Sequence, residues 1–280
     1  MTKAIYQHSI HEVSAEMRLT RGCRKVSVRV EEEIGESPAP AMVYTYLSAQ
    51  HAVSNIDNLW LKVCEADKTN DLFEFNWDIQ FDTDSNHVSE YEKRKWSIFA
   101  FRQMTTNDVK FISFSDSAEN PLLWGYYGDR SRGICLGFSS QMKVTKDLPI
   151  CRVNYNKPVA LPVGNISRST AKDKSLFLEF LKTKKPEWSH EREWRLLIPT
   201  KIAGLVPQTA ETGSILFWRF PSDSLREVVF GAECPRETIQ QVRSLCSKRQ
   251  LAVKFSQIVC DYDTFEPLKV PLPDNVPSLS

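Results

Sequence analysis

The stretch EREWRLLIP, residues 191–199, restricts the possible folds of this chain more than any other. Successive side chains of an extended strand point to opposite faces. If the segment is extended, Trp194, Leu196 and Ile198 form a continuous apolar face, and Glu191, Glu193 and Arg195 line the other. VKFISFS, residues 109–115, follows the same rule, with Ile112 and Phe114 opposing Ser113 and Ser115. Each segment therefore has one side fit for a core and one side dense in polar groups.

Further strands are expected at MVYTYLS (42–48), GICLGF (133–138), ICRVNYN (150–156), GSILFWRF (213–220), REVVFGA (226–232) and VKFSQIV (253–259). Helical spacing marks 48–66, 88–106, 173–185 and 237–250. Short strands dominate the C-terminal half, so the predicted class is α+β, with mostly antiparallel sheets and flanking helices. Residues 1–40 read as an N-terminal extension holding a short strand, VSVRV (26–30), and a linker, GESPAPA (35–41). Residues 41–280 read as a single α+β domain, long enough to bury a substantial core. Lysines and arginines number 36 against 35 acidic residues, which gives no global attraction to nucleic acid or anionic membrane. The seven cysteines are dispersed without paired spacing, and no run reaches the roughly 18 apolar residues a membrane helix requires. Both features place the expected protein in the cytoplasm with reduced thiols, away from a membrane.

If the two polar strand faces adjoin, the hydroxyls of Ser113 and Ser115 can hold a carboxylate of Glu191 or Glu193 in place. The plainer alternative is a solvated strand face beside ordinary turn serines. Trp124, Tyr126 and Tyr127 follow closely and offer ring faces to a flat ligand, or else core packing under a loop. Asp71, Glu74, Glu191 and Glu193 would serve a metal-dependent nuclease, but E-x-E-W-R lacks the lysine common nuclease cores place on that strand. The five histidines show no paired helical spacing for zinc, and no glycine-rich loop is present to cradle phosphate. Cys135 and Cys151 lie on apolar strands, where a buried thiol is the default. The run Lys182-Thr183-Lys184-Lys185 reads as a solvated helix face.

Taken in order, VYTYLS, TNDLFEFN, FISFSDSAENPLLWGYYGDRSRGICLGF, WSHEREWRLLIP and VVFGAEC resemble the bacterial family catalogued as domain of unknown function 2971, across about residues 43–235. Members of that family show Y-K-Y-R, N-D-P-F-E, S-F-S, M-W-x-H-Y-A and W-x-x-E-x-E-x-R in this order. Here the second motif is Asn70-Asp71-Leu72-Phe73-Glu74, and the fourth is Trp124-Gly125-Tyr126-Tyr127-Gly128. Ser-x-Ser followed by E-x-E is also similar to ADP-ribosyltransferases of the Arg–Ser–Glu class. That similarity implies an ADP-ribosyltransferase-like fold and NAD as substrate. It further implies Ser113 at the serine-motif position, Glu193 as the catalytic carboxylate and Glu191 as its partner. Ser115, Trp124, Tyr126 and Tyr127 would then meet NAD. Leu47 stands where the family has arginine, which leaves another cation, or Tyr46 with Tyr44 beside it, to hold the diphosphate. The resemblance implies transfer of ADP-ribose to an acceptor, open between protein, nucleic acid and small molecule, in a toxin or phage-defence setting. The competing reading is a non-catalytic interaction module. Neither reading specifies the acceptor or the oligomeric state.

Overall fold

The computed structural model describes residues 39–64, 69–71, 74, 79–80, 89, 92, 109–142, 150–155, 161–162, 181–200, 205–210 and 213–273. The strand expected at 26–30 and most of the helices expected at 88–106 and 173–185 lie outside these residues. In chain order the strands begin with β1 (Met42–Leu47), β2 (Trp60–Lys62), β3 (Ile79–Gln80) and β4 (Val109–Ser115). They continue with β5 (Ile134–Ser139), β6 (Ile150–Arg152), β7 (Leu161–Pro162), β8 (Glu193–Pro199) and β9 (Leu205–Ala210). The series closes with β10 (Gly213–Arg219), β11 (Leu225–Phe230), β12 (Lys254–Cys260) and β13 (Pro267–Pro271). Described α-helices include α1 (Ala49–Asn58), α2 (Pro121–Tyr126) and α3 (Arg236–Lys248), and a 3-10 helix spans Pro186–Glu191.

Eight strands form the main sheet, in the order β13-β12-β11-β5-β1-β4-β8-β6. Its neighbours are antiparallel except β11 and β12, which run parallel and are joined through α3, as a parallel pair requires. The class is α+β with mostly antiparallel open sheets. Smaller sheets join β2-β10-β9 and β3-β7.

Alternation decides how the main sheet is covered. Val43, Ile112, Phe114, Leu136, Phe138, Trp194, Leu196, Ile198, Val228 and Phe230 point to one face and merge with Ala52 and Ile56 of α1 and Ile239 and Val242 of α3. The residues between them point to the opposite face, where Tyr44, Tyr46, Cys135, Val229 and Ile258 meet Ala118, Leu123 and Trp124. The polar residues of β4 and β8 share this second face, beside the smaller apolar cluster. No helix among the described residues is long and apolar enough to cross a membrane.

Two expectations are corrected here. The helix expected at 48–66 starts as read, with Ser48 accepting the amide of His51, but stops after Asn58. Leu59 takes a left-handed conformation (φ 53°), and Trp60 and Leu61 then extend into a strand paired with β10. Their apolar spacing fitted a helix and serves the second sheet instead.

Trp124 is the second correction. α2 opens on Pro121, with the Asn120 side chain accepting the amides of Leu122 and Leu123. This short helix drives the indole into the second face, where it is 2% exposed. Its N–H donates to the Ala118 carbonyl at 2.8 Å, and its ring meets Tyr46 edge-on at 5.1 Å. The chain closes behind it through Gly128, where a Cβ would lie 2.4 Å from Trp124 Cε3. With both ring faces packed, Trp124 has no surface to offer a ligand.

Trp124→Ala is expected to lower stability by about 3–5 kcal/mol, read from the denaturant midpoint. A loss below about 1 kcal/mol, in the range of surface substitutions, would contradict a core role.

Candidate functional site: a buried charge network beside an aromatic cleft

The antiparallel register of β4 and β8 sets Ser113 opposite Arg195 and Ser115 opposite Glu193. On the polar face, Ser113 Oγ donates to Glu193 Oε1 at 2.5 Å. Arg195 lies beside them with no exposed surface at all. Its Nε donates to Glu193 Oε1 at 2.8 Å, and one terminal nitrogen reaches Glu193 Oε2 at 3.1 Å and Glu74 Oε1 at 2.7 Å. The other terminal nitrogen donates to the Leu181 carbonyl at 2.8 Å, and the guanidinium stacks 4.7 Å above Phe111. Such a charge is tolerable inside a protein only when paired and hydrogen-bonded throughout.

Lys184 completes the network. Its ammonium donates to Glu191 and, at 3.1 Å, to Glu193 Oε2, with Glu74 Oε2 3.9 Å away. Glu74, Glu191 and Glu193 thus face Lys184 and Arg195, three carboxylates against two cations. Burial alone would raise the pKa of Glu193, but Arg195 and Lys184 outweigh it and hold the carboxyl at about 2. Burial dominates at Glu74, whose pKa is raised despite Arg195. Lys184 runs the other way, since its three carboxylate neighbours overcome burial and raise it.

A carboxylate has about four acceptor positions. Glu193 fills them with Ser113, two nitrogens of Arg195 and Lys184, and it is 2% exposed. Glu191 receives Lys184 on one oxygen and the Tyr127 hydroxyl, at 2.9 Å, on the other. It therefore keeps two acceptor positions among the described residues. Strand alternation does not place Glu191, because it ends the 3-10 helix. Arg192 turns left-handed (φ 47°) between the two glutamates and sends its own side chain out to Asp116.

Tyr127 links the network to a cleft of about 530 Å³ lined by Asn70, Tyr126, Tyr127, Glu187, Trp188 and His190. The rings form a continuous row, with centroids 6.0 Å apart for Trp188–His190, 6.2 Å for His190–Tyr126 and 6.3 Å for Tyr126–Tyr127. Lys184 sits 5.0 Å over the far end, Trp188. Burial, with help from Glu191, pushes the Tyr127 hydroxyl up to about 12, so it acts as a hydrogen-bond donor. The volume falls within the range of small-molecule sites.

The structure thus brings together Ser113, Glu191, Glu193, Tyr126 and Tyr127 and leaves out other residues named from the sequence. Ser115 is on the same strand face but buried, its hydroxyl unpaired among the described residues. Tyr46 donates to the Ser117 carbonyl and accepts the Asn120 amide. Tyr44 is held by Glu227 and Lys269 in a separate cluster. Both hydroxyls are committed to the fold, which corrects the expectation that they hold a diphosphate. Lys184 is also corrected, from a solvated helix face to the centre of the site. The nuclease acids Glu74, Glu191 and Glu193 do converge, but onto an ammonium and a guanidinium. Trp188, His190 and Asn70 stood in the quoted motifs without a role.

Residues 123–196 match the family model described as protein of unknown function (DUF2971). The matched segment carries Tyr126, Tyr127, Lys184, Trp188, Glu191, Glu193 and Arg195, while Ser113 and Glu74 fall before it. No curated protein and no solved structure matches the chain.

The depressed pKa of Glu193 sets a pH dependence. Its contribution is complete above the ordinary value of 4.5 and is lost as pH falls toward about 2. Glu74, shifted upward, offsets part of that loss on protonation. Unfolding free energy measured across this window should decline in the wild type and decline less steeply in Glu193→Gln. Equal slopes would contradict the pairing.

Proposed function

We propose that the protein is an ADP-ribosyltransferase-like enzyme that cleaves the nicotinamide glycosidic bond of NAD and passes ADP-ribose to a protein or nucleic-acid acceptor. The observation that carries this reading is the Ser113–Glu193 hydrogen bond at the base of a carboxylate pair whose second member, Glu191, reaches an aromatic cleft through Tyr127. Support comes from this local arrangement rather than from the order of strands in the sheet.

As the bond breaks, its electron pair leaves with the ring nitrogen and nicotinamide departs neutral. Positive charge develops on the ribose at C1′, and the acceptor atom forms the new bond there and loses its proton. A carboxylate fixed before the reaction stabilises that charge without having to reorganise. Glu193 has no acceptor position left for a sugar, so its role is positioning, through Lys184. Glu191 takes the role of the carboxylate nearer the cleft, just behind Tyr127 and held by it and by Lys184. The two glutamates thus exchange the roles expected from the sequence.

A second reading, a ligand-binding module without catalysis, is favoured by one observation, the full engagement of Glu193 by two cations. Labelled NAD incubated with purified protein and cell lysate separates the two. Wild type should release nicotinamide and label an acceptor. Glu191→Gln should lose about 10²–10³-fold in rate while keeping a cooperative unfolding transition, at a melting temperature lowered by loss of the buried Lys184 pair. No release from folded wild type would leave the binding module, and full activity in Glu191→Gln would remove that residue from the chemistry.

A further inference from the structure

We infer that the aromatic cleft is a subsite for a cationic flat ring, a pyridinium, and that it holds this ring more tightly than the neutral ring left when the glycosidic bond breaks. The inference deepens the proposed function and rests on it for the identity of the ring. Three features of the cleft select for charge. The rings of Trp188, His190 and Tyr126 form one wall, tilted by 31° and 59° from one to the next, and indole and phenol faces carry the negative lobe of the ring quadrupole. The lining includes the Glu187 carboxylate, and no lysine or arginine lines the cleft among the described residues. The cationic neighbour at its edge, Lys184, is neutralised by its own contacts with Glu191 and Glu193.

The wall already hosts one cation, since Lys184 stands 5.0 Å over Trp188. Tyr126, at 65% exposure, offers a second ring face at the open end. Asn70 lines the same cleft and brings a side-chain amide, a group able to pair with a carboxamide substituent. Loss of the ring's charge during the reaction removes the attraction to the wall and the carboxylate together. The neutral product therefore leaves more readily than the substrate ring.

The test is titration calorimetry with three probes that need no turnover: the 1-methylnicotinamide cation, neutral nicotinamide and nicotinate. The cation should bind about tenfold more tightly than nicotinamide, and nicotinate should bind weakest. Trp188→Leu should abolish most of that preference. Tyr126→Leu, at an exposed position that carries little of the fold, should reduce it and guards against misfolding of the first variant. Equal or tighter binding of nicotinamide, or no binding of any probe, would overturn the inference. NAD turnover measured on the same samples separates the two proposals. Turnover without a cation preference overturns the subsite alone, whereas a cation preference without turnover sustains the subsite and overturns the enzyme.

Discussion

The site depends on a guanidinium with nowhere to go. Arg195 is carried by a strand whose alternate residues build the main core, so it cannot turn outward without removing Trp194 and Leu196 from that core. A buried charge without partners costs several kcal/mol, and breaking a buried pair costs about 3–5 kcal/mol. Glu193, Glu74 and the Leu181 carbonyl supply the partners. In doing so they tie β8 to the segment around Glu74, 121 residues away, and to Leu181, 14 residues before Arg195. The network is thus less a source of net stability than a constraint, because only one arrangement of these segments leaves every charge paired.

That constraint extends outward in steps. With Glu193 fixed by Arg195 and Ser113, its second oxygen receives Lys184, and Lys184 in turn holds Glu191. Glu191 receives Tyr127, and Tyr127 belongs to the ring row of the cleft. Exposure increases along the path, from a guanidinium with none to Tyr126 at the open end. A ligand site needs this gradient, with buried groups that fix geometry and exposed groups that admit the ligand.

Much of this was legible in two short strands. Alternation in EREWRLLIP and VKFISFS assigned the core face correctly, and it brought the polar faces of Ser113, Glu193 and Arg195 together. Glu191 arrived at the site by a different route, since a left-handed Arg192 interrupts the alternation that would have placed it. Sequence leaves Trp124 open between ligand contact and core because three close aromatics look alike, and only the Ala118 carbonyl and the Tyr46 ring distinguish the buried one. Lys184 was misread because a lysine-rich run is ordinarily solvated, and its three carboxylate partners lie on segments the run does not reveal. Glu74 and Arg195 are 121 residues apart, and no local pattern links them.

A crystal structure of the protein soaked with NAD tests the division of labour between the two glutamates most directly. The account predicts the nicotinamide ring against Trp188 and Tyr126, the adjoining ribose near Glu191, and Glu193 still bound by Arg195, Lys184 and Ser113. A ribose in contact with Glu193, with Lys184 displaced from it, would contradict the account.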